Sequence, residues 1–160
     1  MRDVDFEQLV RRHAQEVYGY LLYRTGNHHL AEELVGDTLE RAYRSRGRYD
    51  GRRASEKTWL LTIALNRWRD LMRRESTERA ALERIGEGLI SHVDDMSTAE
   101  DRRALLDGLA ALPEDEREVV ALSYGADLTA KQIAQVLELP VTTVQGRLYR
   151  GLRKLRDELG

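Results

Sequence analysis

Thr129-Ala-Lys-Gln-Ile-Ala-Gln-Val-Leu-Glu-Leu-Pro-Val-Thr-Thr-Val-Gln-Gly-Arg-Leu-Tyr-Arg-Gly-Leu-Arg-Lys-Leu-Arg156 is the stretch that decides the fold class. Thr129 suits an N-cap, and Gln132 stands three residues on, the spacing of a capping box. Ile133, Ala134 and Leu137 give the first helix a buried stripe, which Glu138-Leu139-Pro140 interrupts. Thr142 or Thr143 then opens a second helix, with Val144, Leu148, Leu152 and Leu155 on one face. From Leu139 to Arg156 there are five positive charges and no acid. The pattern predicts a helix-turn-helix whose second helix buries leucines and shows arginines, a form that fits a major groove.

Composition narrows the setting. The 160 residues suit one domain or two small ones. No apolar run reaches membrane-spanning length and no signal-peptide core opens the chain, so a cytoplasmic protein without membrane insertion is expected. The absence of cysteine excludes disulfides, thiolate zinc sites and thiol catalysis. Arg far outnumbers Lys, which suits planar contacts with phosphates and bases. Net charge is −2, and it is unevenly spread. Residues 1–75 carry 15 basic and 12 acidic groups, residues 76–104 carry 4 and 7, and residues 105–160 carry 7 and 9. Affinity for DNA scales with the phosphates neutralised. Such a chain therefore binds free DNA weakly and needs a larger partner to read it.

Working outward, every segment reads as helical. The pattern predicts a first helix over about 4–24, with Phe6, Leu9, Val10, His13, Val17 and Leu21 on one face. Gly26 breaks it, and Asn27 caps a second helix to about Arg44, with Leu30, Leu34, Val35, Thr38, Leu39 and Ala42 inward. An Arg- and Gly-rich loop at Ser45–Ala54 follows, and Ser55 caps a third helix carrying Trp59, Leu60, Ile63, Ala64, Trp68 and Leu71. Residues 76–97 read as an acidic, flexible linker. Ser97 to Glu100 has capping-box spacing before a leucine-rich helix, and Pro113 separates that helix from the next. The expected fold is all-α, with two small helical domains at 1–75 and 98–160 and the helix-turn-helix in the second.

In this frame the whole chain resembles a bacterial RNA polymerase sigma factor of the extracytoplasmic-function group of the sigma-70 family. Four stretches in the right order carry the likeness: Phe6–Asn27, Ala31–Ala42, Trp59–Arg74, and Leu109–Val119 followed by Gln132–Leu148. The resemblance implies sigma region 2 in the first domain and region 4 in the second. It implies no catalysis and no cofactor or metal. The implied function is to bind core polymerase, direct it to promoters and assist DNA melting. Core contacts fall to Leu34, Asp37, Thr38, Leu39 and Arg41, on the β′ clamp helices. The −10 element falls to Asn66, Arg67, Arg69, Asp70, Arg73 and Arg74, with the Ser45–Ala54 loop helping to capture an extruded base. The −35 element falls to Thr142, Thr143, Gln145, Arg147, Arg150, Arg153 and Lys154, the last three also serving phosphates or the β flap. An anti-sigma protein or proteolytic control is the expected regulation, and the acidic linker is expected to thread toward the polymerase interior. The chain departs from the family pattern at Gly36, where Gln is common, and at Glu138, where the turn normally has Gly.

Other readings use the same residues differently. A stand-alone helix-turn-helix regulator would dimerise on a symmetric site. A sigma-like decoy would bind an anti-sigma protein and not promoters. A helical metalloenzyme would use His28 with Glu32 and His29 with Glu33, spaced i, i+4.

Overall fold

A computed structural model describes residues 1–75 and 99–159, and the regular structure of these residues is helical throughout. Helix α1 spans Asp3–Thr25, with Asp3 and Asp5 in its first turn, where carboxylates oppose the helix dipole. It ends at Gly26, whose φ of 64° turns the chain and lets its N–H reach the Leu22 carbonyl. Asn27 accepts from the Leu30 N–H at 3.1 Å and so starts α2, His28–Arg44. A short 3₁₀ turn at Arg46–Arg48 follows. Tyr49 then closes the loop by donating to the Ala54 carbonyl, 3.0 Å away. Ser55 accepts from the Thr58 N–H at 3.2 Å, and α3 runs Glu56–Glu75. Leu9, Val17, Leu21, Ala31, Leu34, Leu60, Leu61 and Ala64 make the core where these three helices meet.

The second half packs α4 (Ala99–Ala111), α5 (Glu114–Val120), α6 (Ala130–Leu137) and α7 (Val141–Leu159). Its core is Leu106, Leu109, Val119, Leu122, Ile133, Val144 and Leu155. Between α5 and α6 a π-helical turn at Ala121–Gly125 widens the backbone, a feature that apolar periodicity does not announce. The capping box at Thr129 forms in full: Gln132 N–H donates to the Thr129 hydroxyl at 3.2 Å, and Thr129 N–H donates to the Gln132 side chain at 2.9 Å. Thr129→Ala breaks both and is expected to lower stability by about 1 kcal/mol, read from the midpoint of urea unfolding.

Two expectations are refined. The second helix of the helix-turn-helix begins at Val141, not at Thr142 or Thr143, because Pro140 presets its own φ and accepts the N–H groups of Thr143 and Val144 at 3.1 and 3.2 Å. Phe6, Val10 and His13 are only half-buried, so the inward face of α1 is carried by Leu9, Val17 and Leu21. The linker at 76–97, with its Ser97 cap, lies outside the described residues.

The two halves touch each other. The π turn and α4 lie against α1, Glu114, Arg117 and Glu118 of α5 meet Arg24 and Tyr23 at its C-terminal end, and α6 lies against α3. Backbone approaches backbone where Gly19 meets Gly125: a Cβ on Gly19 would fall 1.9 Å from the Gly125 carbonyl oxygen. Only glycine fits on either side of such a crossing.

Candidate nucleic-acid and polymerase interface

Three surfaces hold the residues singled out by sequence. On α7 the helical repeat separates two polar faces. Thr142, Gln145, Tyr149, Arg153 and Arg156 are exposed and follow one another at steps of three or four along one stripe. A second stripe faces α5: Arg147 lies 3.6 Å from Asp115, Arg150 lies 3.9 Å from Glu116, and Lys154 donates to Glu116. Glu116 is itself buried. Arg147, Arg150 and Lys154 thus have carboxylate partners within the protein, whereas Gln145 and Arg153 lie on the outer stripe. Thr143 is half-buried and stands four residues before Arg147, in line with the stripe that faces α5.

Tyr149 is a surface residue that the charge-based reading missed. Its ring is 67 % exposed, in the middle of the outer stripe. An exposed tyrosine brings an apolar ring and a hydroxyl to one place, both usable against a base edge. Its signal in the sequence is positional, four residues after Gln145 and four before Arg153.

On α3 the six candidate residues divide differently. Asn66, Arg69, Arg73 and Arg74 are exposed at the C-terminal half. Arg67 is tied to Asp37 of α2 at 2.9 Å and is only 15 % exposed. Asp70 accepts from Arg41 at 2.8 Å and also from Arg73. The Arg41 hydrogen bond, followed by that of Arg73, holds the Asp70 carboxyl below the usual range, so it is charged at neutral pH. Asp70 is therefore a brace for two arginines more than a free acceptor. A cleft of about 530 Å³ opens between Trp68, Arg69 and Arg73 of α3 and Glu114 of α5. Trp68 is 3 % exposed and belongs to the core, with the Arg24 guanidinium 5.1 Å from its ring centre. Trp59 is half-buried against Tyr49, 5.0 Å between ring centres, which anchors the Ser45–Ala54 loop.

On α2, Leu34 and Thr38 point into the core at 1 % and 0 % exposure, and the Thr38 hydroxyl donates back to the Leu34 carbonyl. Neither offers a side chain to a partner on this surface. Asp37, Leu39 and Arg41 remain partly accessible, joined to α3 through the Arg67 and Asp70 ion pairs. Gly36 is exposed, and a Cβ there would meet nothing within 4 Å. His28 pairs with Glu32 at 3.2 Å and with the Tyr18 hydroxyl at 2.7 Å. Among the described residues no three His, Asp or Glu side chains gather as a metal site would require. No helix of the described residues is long and apolar enough to cross a membrane.

Comparison with known proteins accounts for both halves. Residues 9–78 match the family model for Sigma-70 region 2, and residues 102–155 match that for Sigma-70, region 4. The chain is 32 % identical to the ECF RNA polymerase sigma factor SigK of Mycobacterium sp. (strain KMS), covering 99 % of this chain and 86 % of the relative. It is 38 % identical to the RNA polymerase sigma factor CarQ of Myxococcus xanthus over 97 % of this chain and 89 % of that one. Among solved structures, CnrH in complex with the cytosolic domain of CnrY superposes with a TM-score of 0.72 at 26 % identity, covering 99 % of this chain and 89 % of that one. The sigma factor RpoE of Bartonella quintana, solved with the anti-sigma factor NepR, shares the fold with a TM-score of 0.78 at 21 % identity, covering 97 % of this chain and 96 % of that one.

Proposed function

Because the chain belongs to the extracytoplasmic-function sigma factors of the sigma-70 family, which bind RNA polymerase and direct it to promoters without catalysis of their own, we propose how its surfaces divide that work. Residues 98–160 form the module that reads the −35 element, through the outer stripe of α7: Thr142, Gln145, Tyr149 and Arg153. The observation that supports this most is the division of α7 into two polar faces, because only the outer one lacks an acidic neighbour in α5. Gln145 suits a bidentate contact with adenine, and Arg153 suits a phosphate. Thr143 and Arg147 flank the stripe. Arg150 and Lys154, already paired with Glu116, support the helix and are available to the β flap when α5 moves.

Residues 1–75 form the module that docks on polymerase and opens DNA. Asp37, Leu39 and Arg41 contact the β′ clamp helices, while Leu34 and Thr38 support that contact from beneath. Asn66, Arg69, Arg73 and Arg74 face the −10 element and the displaced strand, with Arg67 and Asp70 holding α2 and α3 in register. Arginines that grip the backbone and a shaped loop that receives one base are the ingredients of strand capture. The acidic 76–97 segment joins the modules. An anti-sigma protein is the expected inhibitor, a reading supported by the CnrH likeness.

Run-off transcription from a matched promoter tests the assignment. Gln145→Ala is expected to flatten preference at one base pair of the −35 element by about 1–3 kcal/mol. Lys154→Ala is expected to weaken all promoters alike, and less. Equal loss of preference in both variants would reverse the assignment of the two faces.

A further inference from the structure

Lysine is scarce in this chain: of its 26 Lys and Arg residues, only Lys57, Lys131 and Lys154 carry a side-chain amine. Their surroundings differ. Lys57 is 18 % exposed and donates to the Asp127 carbonyl at 2.7 Å. Lys131 is exposed on α6 and forms no ion pair with the described acids. Lys154, on the inner stripe of α7, is half-exposed, and its Nζ lies over the Glu116 carboxylate. It donates to Oε2 at 3.0 Å and stands 2.8 Å from Oε1.

Three features converge on that amine. Glu116 is only 7 % exposed, and its Oε1 is buried and, among the described residues, accepts no directed hydrogen bond. A carboxylate oxygen with a free lone pair at this distance has the reach of a general base. Where little water competes, passing a proton from ammonium to carboxylate costs less than in bulk, because it removes two poorly solvated charges at once. The half-exposed amine also leaves room for a reagent to approach from solvent. Finally, two guanidiniums lie beside it: Arg150, one turn before, with Nε 3.9 Å from Glu116, and the exposed Arg153, next in sequence. Guanidinium forks match phosphate oxygens.

We infer that Lys154 is an acylation site whose donor is a small acyl phosphate and whose base is Glu116. The Nζ lone pair attacks the acyl carbon, the bond from that carbon to the phosphate oxygen breaks, and inorganic phosphate leaves with the electron pair. Of the two protons the nitrogen sheds, Glu116 takes the first and hands it to solvent, and the second leaves on the phosphate. The amide that forms is uncharged. Arg150 is then the remaining cation beside Glu116. Glu116 packs where α5 crosses α7 at Gly151, so a buried carboxylate short of a partner loosens that crossing. Promoter recognition through α7 falls with it. That last consequence rests on the reading of α7 as the −35 helix; the site itself does not.

The test treats the full chain with acetyl phosphate. Cleavage after glutamate places each lysine on its own peptide, residues 57–75, 119–138 and 139–158, for mass spectrometry. Lys154 is expected to acylate several-fold faster than Lys131 and Lys57. Glu116→Gln is expected to slow Lys154 by roughly tenfold, less than the loss of a dedicated general base. Arg150→Ala, which leaves Glu116 and Lys154 in place, is expected to remove the preference of Lys154 for acetyl phosphate over neutral p-nitrophenyl acetate. A rate at Lys154 no higher than at Lys131 overturns the site, whether or not Glu116→Gln folds. In run-off transcription, treated wild type is expected to lose activity several-fold at a −35-dependent promoter, and treated Lys154→Arg to keep its own. Equal loss in both overturns the regulatory consequence. A Gln145→Ala variant with unaltered promoter preference would instead strike the −35 reading, and mass spectrometry would still judge the site.

Discussion

Trp68→Ala is expected to destabilise the protein by about 3–5 kcal/mol, the largest effect of any single truncation in the first module. Trp68 is 3 % exposed on α3, and its ring carries the buried Arg24 guanidinium on one face. Truncation leaves a cavity that helix backbones cannot collapse into, and it strips a buried cation of its aromatic neighbour. At about 2–4 °C per kcal/mol for a chain of this size, the melting midpoint should fall by roughly 6–20 °C. Differential scanning calorimetry reads it. A platform for stacking bases would behave differently: the midpoint would hold and only promoter opening would fail. That outcome would move Trp68 from the core to the DNA surface.

Gly151→Val is expected to destabilise the second module by about 1–3 kcal/mol and to cost −35-dependent transcription with it. A Cβ at this position would meet Val120 Cγ2 at 2.9 Å and Glu116 Cβ at 3.4 Å. Both neighbours belong to α5, whose close crossing with α7 leaves no room for branching. Valine adds two methyl groups beyond that Cβ, so α7 must shift or α5 must unwind. Either movement also pulls Glu116 from Lys154 and Arg150. The core contact proposed for α2 involves neither helix of this crossing and is expected to survive. Run-off transcription at a promoter that depends on its −35 element, beside a pull-down with core polymerase, separates the two effects. A variant that melts as wild type does would show the crossing to be looser than it stands.

Much of the fold was legible because its signals are local. Asn27, Ser55 and Thr129 are caps whose partners lie three residues away, so spacing alone identifies them. The Glu138 turn was equally open to reading, and its backbone is indeed left-handed, with φ of 56°. What escaped is non-local or aperiodic. Tyr20 finds Glu118 across 98 residues of sequence, and no pattern within either helix marks the pair. The π turn breaks the 3.6-residue repeat on which helix reading depends. Arg147, Arg150 and Lys154 were counted as free positive charge, but the acids of α5 do not announce from sequence which cations they face; Asp115 takes Arg147, and Glu116 takes Arg150 and Lys154. The site was legible as a set of elements. Its division into inner and outer faces needed the packing of α5 against α7. Leu34 and Thr38 show the same limit, since an amphipathic helix has one face and the periodicity does not say which neighbour it buries against.

Glu138 itself has a bearing on how this protein can change. The residue sits in the left-handed region where a side chain collides with its own backbone, at roughly 1–2 kcal/mol. Its N–H still reaches the Ala134 carbonyl, so the turn holds its shape despite the residue in it. Proteins stand only slightly above the stability that function requires. A glycine at 138 would supply slack there without changing any side chain of the outer stripe of α7. With that slack, otherwise destabilising changes in the outer stripe of α7 become tolerable. The strained turn is thus a place from which new promoter preferences become reachable by mutation.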